Sequence, residues 1–124
     1  MNIVPTDKLD LDACDNLDEA SDENVISNIE ALLDWTQDIN WPVAPLVINR
    51  LSSIGSKLAM PINKVLSGND SAWKYLVITS LLPKLEPELK IEISHQLRKI
   101  VKSPTENDEQ EEVNIVAREF LNGL

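Results

Sequence analysis

Asp34-Trp35-Thr36-Gln37-Asp38-Ile39-Asn40-Trp41-Pro42-Val43-Ala44 is the stretch whose reading decides the fold. It holds two of the three tryptophans. A helix stop is followed at once by a helix start. The apolar spacing ahead of it ends near Gln37, Asn40 is a capping residue type, and Pro42 falls in a first turn, where a missing N–H costs nothing. So tight a turn makes the two flanking helices antiparallel neighbours. Upstream, Ser21-Asp22-Glu23 is a helix start, and Val25, Ile26, Ile29, Leu32, Leu33 and Thr36 follow at helical spacing with Trp35 at the stripe's edge. Downstream, Val43, Ala44, Leu46, Val47, Ile48 and Leu51 cover almost half a helix circumference, a width that predicts neighbours on two sides.

The rest of the chain reads the same way. Thr6 can cap a first helix carrying Leu9, Ala13, Cys14 and Leu17, although eight acids between Asp7 and Glu23 leave residues 1–20 an acidic segment that is either a short docked helix, loosely held, or partly unfolded. Gly55 ends the helix after Trp41, and Pro61 starts a short one facing inward through Ile62, Val65 and Leu66. Asp70 caps a helix that is apolar nearly all round through Leu82, which predicts the most buried helix of the set. Glu88 to Lys102 is amphipathic. Thr105-Glu106-Asn107-Asp108 resembles a capping box ahead of a last helix with Val113, Val116, Ala117, Phe120, Leu121 and Leu124 inward. No segment alternates like a strand. The expectation is one all-α domain over residues 1–124, with six to seven helices and no sheet.

An internal echo refines the architecture. Asp38-Ile39-Asn40-Trp41 and Asp70-Ser71-Ala72-Trp73 align at an offset of 32 residues, each placing an acid near a helix start and a tryptophan close behind. The second copy, Asp70 to Leu81, resembles a HEAT-type repeat. A helix pair of this kind has an apolar face that only a neighbouring pair covers. Stacked antiparallel helix pairs, a fragment of an α-solenoid, are therefore expected; an irregular helical bundle is the alternative.

These residues also carry a family resemblance. Trp35-x-Gln37-Asp38-x-Asn40-Trp41-Pro42, then Pro61-Ile62 with Val65-Leu66, then Asp70-x-x-Trp73-Lys74-Tyr75, look like the pattern of the DUF5071 domain, a small bacterial family. The resemblance covers nearly the whole chain and is weakest in the first 20 residues. It implies an all-helical, single-domain bacterial protein, and no activity, cofactor or catalytic residue.

Composition narrows the function classes. The net charge is −10, unevenly spread: residues 1–49 hold eleven acids and one base, residues 50–102 four acids and nine bases, residues 103–124 six acids and one base. An acidic chain is poorly suited to nucleic acid, whose phosphates need basic surface. No apolar run has the length of a membrane span, no signal peptide is evident, and the one cysteine, Cys14, forms no internal disulfide; a reduced, cytoplasmic protein is the simplest reading.

The search for chemistry finds little. One histidine, His95, and one cysteine rule against zinc, and the Asp7–Asp15 run lacks the glycine and terminal glutamate of a calcium loop. His95 falls on the outer side of its helix, and Cys14 among acids has a raised pKa, the wrong direction for a thiolate nucleophile. Asp34 and Asp38, one helical turn apart, are capping or solvated carboxylates first and acid–base candidates second. No cofactor and no metal site are expected. Trp35, Trp41 and Trp73 are core rings locking helix pairs, or an aromatic rim with Gln37, Asp38, Asn40, Asp70, Lys74 and Tyr75 that binds another protein.

The reading is a non-enzymatic protein-interaction module, in its specific form an immunity- or antitoxin-like protein that masks a basic toxin surface. A small ligand-binding protein or enzyme with its site at the Trp35–Trp41 joint is the second reading, and self-association through open ends of the stack is the third. If Gln37 and Asn40 are caps, replacing either costs about 1 kcal/mol.

Overall fold

A computed structural model describes residues 1–124, all of it helix, turn and loop with no strand. Nine α-helices follow one another: α1 Leu11–Glu19, α2 Asp22–Ser27, α3 Ile29–Leu33, α4 Val43–Leu51, α5 Ala59–Leu66, α6 Ser71–Leu76, α7 Pro87–Lys102, α8 Glu106–Gln110 and α9 Val113–Asn122. The expected count was six to seven, and two local breaks account for the excess. At Asn28 the backbone leaves the helix (φ −118°) and its carboxamide donates to the Asn24 carbonyl at 2.8 Å, separating α2 from α3. Side-chain bonding of this kind competes with helix hydrogen bonds. At Glu112 the backbone turns left-handed (φ 61°), separating α8 from α9.

The caps are local and mostly where the residue types place them. Ser21 accepts from the Asn24 N–H and Asp70 from the Trp73 N–H, each at 3.1 Å. Thr105 and Asp108 form a full capping box. Thr6 does not cap α1. Asp10 does, accepting from the Ala13 N–H, while Thr6 donates both its N–H and its hydroxyl to the other oxygen of Asp10. Asp10, four residues further on and directly ahead of α1, is the residue whose carboxylate reaches the first-turn N–H. Asn40 caps nothing: Asp38 accepts the Asn40 N–H at 2.9 Å in a turn, and α4 begins behind Pro42.

The expected helix from Asp70 to Leu82 is α-helical only to Leu76. Val77–Leu81 winds a wider π turn and Leu82–Lys84 a 3-10 turn. Pro83 is the physical cause. It has no N–H for the Thr79 carbonyl and its ring would strike that carbonyl in an α-helix. Val77, Ile78, Leu81 and Leu82 remain fully or nearly fully buried.

One continuous core of 28 residues runs through the molecule, drawn from every helix except α8. α1 packs on α4, α5 on α7, and α9 on both α6 and α7. The N-terminal acidic segment is docked rather than loose. Ile3, Ala13, Cys14 and Leu17 are buried, and Arg50 of α4 donates to the carbonyls of Leu17 (3.2 Å) and Ala20 (2.9 Å) and pairs with Asp22 at 2.8 Å. Three expected core positions are exposed instead: Leu9 ahead of α1, Leu46 on α4 and Leu124 at the end of the chain.

Beneath α6 lies a buried polar knot. Lys74 and Asp108 form an ion pair at 3.0 Å with only 3% of either side chain exposed. Ser71, also buried, donates to the same Asp108 oxygen at 2.6 Å, and the second Asp108 oxygen accepts the Thr105 N–H at 3.2 Å. Burial pushes the Asp108 carboxyl up, but the hydrogen bonds from Ser71, Lys74 and Thr105 and the Lys74 charge outweigh it, so the group sits below the ordinary aspartate value. A depressed folded pKa stabilises the fold at pH above the unfolded value of about 3.9 and ceases to do so as pH falls through the folded value. The melting temperature should therefore drop as pH falls below about 4. In an acid scan, Asp108→Asn should start from a lower melting temperature and lose less of it over that range.

Candidate functional site

The joint between α3 and α4 is built by side chains that bond to one another. Asp34–Thr36 continues α3 as a 3-10 turn. The rings of Trp35 and Trp41 meet with centroids 5.6 Å apart and planes tilted by 59°, an arrangement aromatic quadrupoles favour. Both are half-buried and pack against the core. Thr36 is fully buried; its hydroxyl donates to the Leu33 carbonyl at 2.7 Å and accepts the Trp73 indole N–H at 3.1 Å. That second bond joins the second echoed segment to the 3-10 turn just ahead of the first. The Trp73 ring is held by its backbone at the Asp70 cap and by its edge at Thr36.

The structure takes one residue out of the rim expected from the sequence. Lys74 is buried against Asp108 and is corrected from a partner-facing residue to an internal one. It lies on the inner side of α6, where the ammonium must be paired to be tolerated. Gln37 and Asn40 project into solvent, with their carboxamides bonded to no other residue. Trp35, Gln37, Asp38, Asn40 and Trp41 line neither of the two clefts described next.

What the fold does gather is a cleft one helix away. A cavity of about 560 Å³ opens between α3, α5 and the start of α6. Asp34, Asp70 and Trp73 line it together with Glu30, Lys64 and Val65. A second, more open cleft of about 890 Å³ runs on between α2, α3 and α5 past Met60 and Asn63. The two share Glu30, Ala31, Pro61 and Lys64, so they form one groove. Glu30 and Lys64 face each other across it at 3.3 Å, both largely exposed. Asp34 has no such partner: no donor of this chain reaches its carboxylate.

A family model described as a domain of unknown function, DUF5071, matches residues 3–121. The chain belongs to the DUF5071 family. A comparison with curated proteins finds no match. In this DUF5071 chain the groups that commonly do chemistry stand apart. His95 is exposed on α7. Cys14 is buried, and its thiol is raised first by burial and then by the charges of Asp10, Asp18 and Asp15. No helix is long and apolar enough to cross a membrane.

Sequence reasoning missed Glu30, Lys64 and Asp108. Lys74 held the signal for the last. A single lysine in a helix that is otherwise apolar nearly all round needs a buried carboxylate, and Asp108 is a first-turn acid of a later helix. Glu30 and Lys64 look like ordinary solvated charges and gave no signal. Thermal or urea unfolding separates the structural from the free side chains. Gln37→Ala and Asn40→Ala should each leave stability within about 0.5 kcal/mol, because neither caps a helix. Thr36→Val should cost about 1–2 kcal/mol by stranding the Trp73 N–H.

Proposed function

We propose that this chain is a non-enzymatic protein-interaction module of stacked helix pairs, acting in the bacterial cytoplasm on a basic partner. Its specific form is an immunity- or antitoxin-like protein that covers a basic surface of a toxin. The observation carrying this reading is unneutralised acidic surface. Of the eleven acids in residues 1–49, nine are exposed, and only two of those, Asp22 and Glu30, are ion-paired within the chain. An excess of exposed charge of one sign attracts an oppositely charged partner, which steers and speeds association. The family membership assigns no activity that competes with it. The bond between Trp73 and Thr36 supports the stacked-pair architecture, since it ties the second echoed segment to the end of the helix that precedes the first, across 37 residues of chain.

Affinity capture from the native host with the full chain as bait tests the proposal. The expected result is a stoichiometric partner of basic isoelectric point. Its retention should weaken as salt rises from about 0.05 to about 0.5 M, where exposed charges are screened within a few ångström. A partner that is acidic, or one held equally at both salt concentrations, contradicts the proposal.

A further inference from the structure

We infer that the cleft between α3, α5 and α6 receives an arginine side chain of the partner protein, an inference that rests on the interaction reading above. The cleft combines three features that suit a guanidinium. It has an aromatic wall: Trp73, half-buried, is held in place by its hydrogen bond to Thr36 and by the Asp70 cap, so the ring is ordered before a ligand arrives. It has an excess of carboxylate: Glu30, Asp34 and Asp70 line it against the single cation Lys64, and Lys64 is already engaged by Glu30. The uncompensated charge therefore falls to Asp34 and Asp70. Asp70 uses one oxygen as the α6 cap and has a second in hand; Asp34 has both free of this chain. It also has apolar flanks, Leu33, Pro61 and Val65, against which the methylenes of a long side chain can lie.

Charge and shape together select the occupant. A planar, weakly hydrated guanidinium stacks on an indole and offers donors in several directions to carboxylates, whereas an ammonium is a compact, strongly hydrated point charge. An acidic or neutral segment meets repulsion or no gain from Asp34 and Asp70. The open groove beyond Lys64, past Met60, which is 84% exposed, gives the residues flanking that arginine room to continue along α5.

The test is an NMR titration of the full isotope-labelled chain with N-acetyl-arginine amide, with N-acetyl-lysine amide in parallel. Saturable shifts are expected at the Ala31, Val65, Gly68 and Asn69 amides and at the Trp73 indole N–H, weaker with the lysine compound. The double variant Asp34→Asn/Asp70→Asn keeps the α6 cap, because asparagine caps as well as aspartate. It should bind the arginine compound about tenfold more weakly, the loss expected for about 1.4 kcal/mol of charge-assisted bonding. Shifts absent from the cleft, unchanged in the double variant, or matched by the lysine compound overturn the assignment. Host capture with the same double variant separates the two levels. A basic partner retained undiminished overturns the arginine cleft and leaves the interaction reading standing. Recovery of no basic partner by the unmodified chain overturns the interaction reading itself.

Discussion

An ammonium group moved out of water costs several kcal/mol unless an anion and further hydrogen bonds meet it, and that constraint shapes the second half of this chain. Lys74 lies on the inner side of α6, where its only counter-charge is Asp108, 34 residues away. To be there, Asp108 must sit at the third position of α8, and Thr105 must cap that helix for the carboxylate to be held in place. The left-handed turn at Glu112 then sends α9 back against α6 and α7. Ser71 adds a third bond to the same carboxylate from the first turn of α6. A knot of this kind is weak evidence for net stability, since an apolar pair of the same volume often does as well. What it does fix is geometry: Lys74, Ser71 and Thr105 all meet the one Asp108 carboxylate.

The same end of α6 carries the opposite face of the design. Trp73, next to Lys74, points its N–H to Thr36 and lends its remaining surface to the cleft with Asp34 and Asp70. One short segment, Asp70–Lys74, thus fastens the C-terminal helices through its lysine, the N-terminal joint through its tryptophan, and caps its own helix through its aspartate. The acidic cleft shares Asp70 and Trp73 with that fastening. Rigidity matters for a binding surface because side chains already ordered lose less entropy when a ligand arrives.

Local signals in the chain were readable where one residue type decides a local structure. The absence of strands, the Ser21, Asp70 and Thr105 caps, and the inward faces of α4 and α7 all follow from spacing and capping chemistry. Breaks set by competition were not readable. Asn28 is a tolerable helix residue until its carboxamide takes the Asn24 carbonyl, and Glu112 gives no hint of a left-handed backbone. Pro83 was legible as a stop, but its effect reaches upstream into a π turn that periodicity alone does not foresee. The candidate site suffered most. Trp35–Trp41 drew attention by density of chemistry, yet density there reflects residues bonding to one another. The cleft depends on α3 meeting α5 across 34 residues of chain, from Glu30 to Lys64, a relation invisible to any local pattern.

The claim that Lys74 and Asp108 organise the C-terminal half is tested most directly by a double-mutant cycle on stability with Lys74→Met, Asp108→Asn and the two combined. Each single change leaves one buried charge or polar group without its partner and should cost about 3–5 kcal/mol. The combined variant keeps the carboxamide oxygen for the α8 cap and should recover about 2–3 kcal/mol relative to the sum of the singles, a range typical of directly coupled residues. Additive losses, with no coupling between the two positions, would contradict the account and place the organising contact elsewhere.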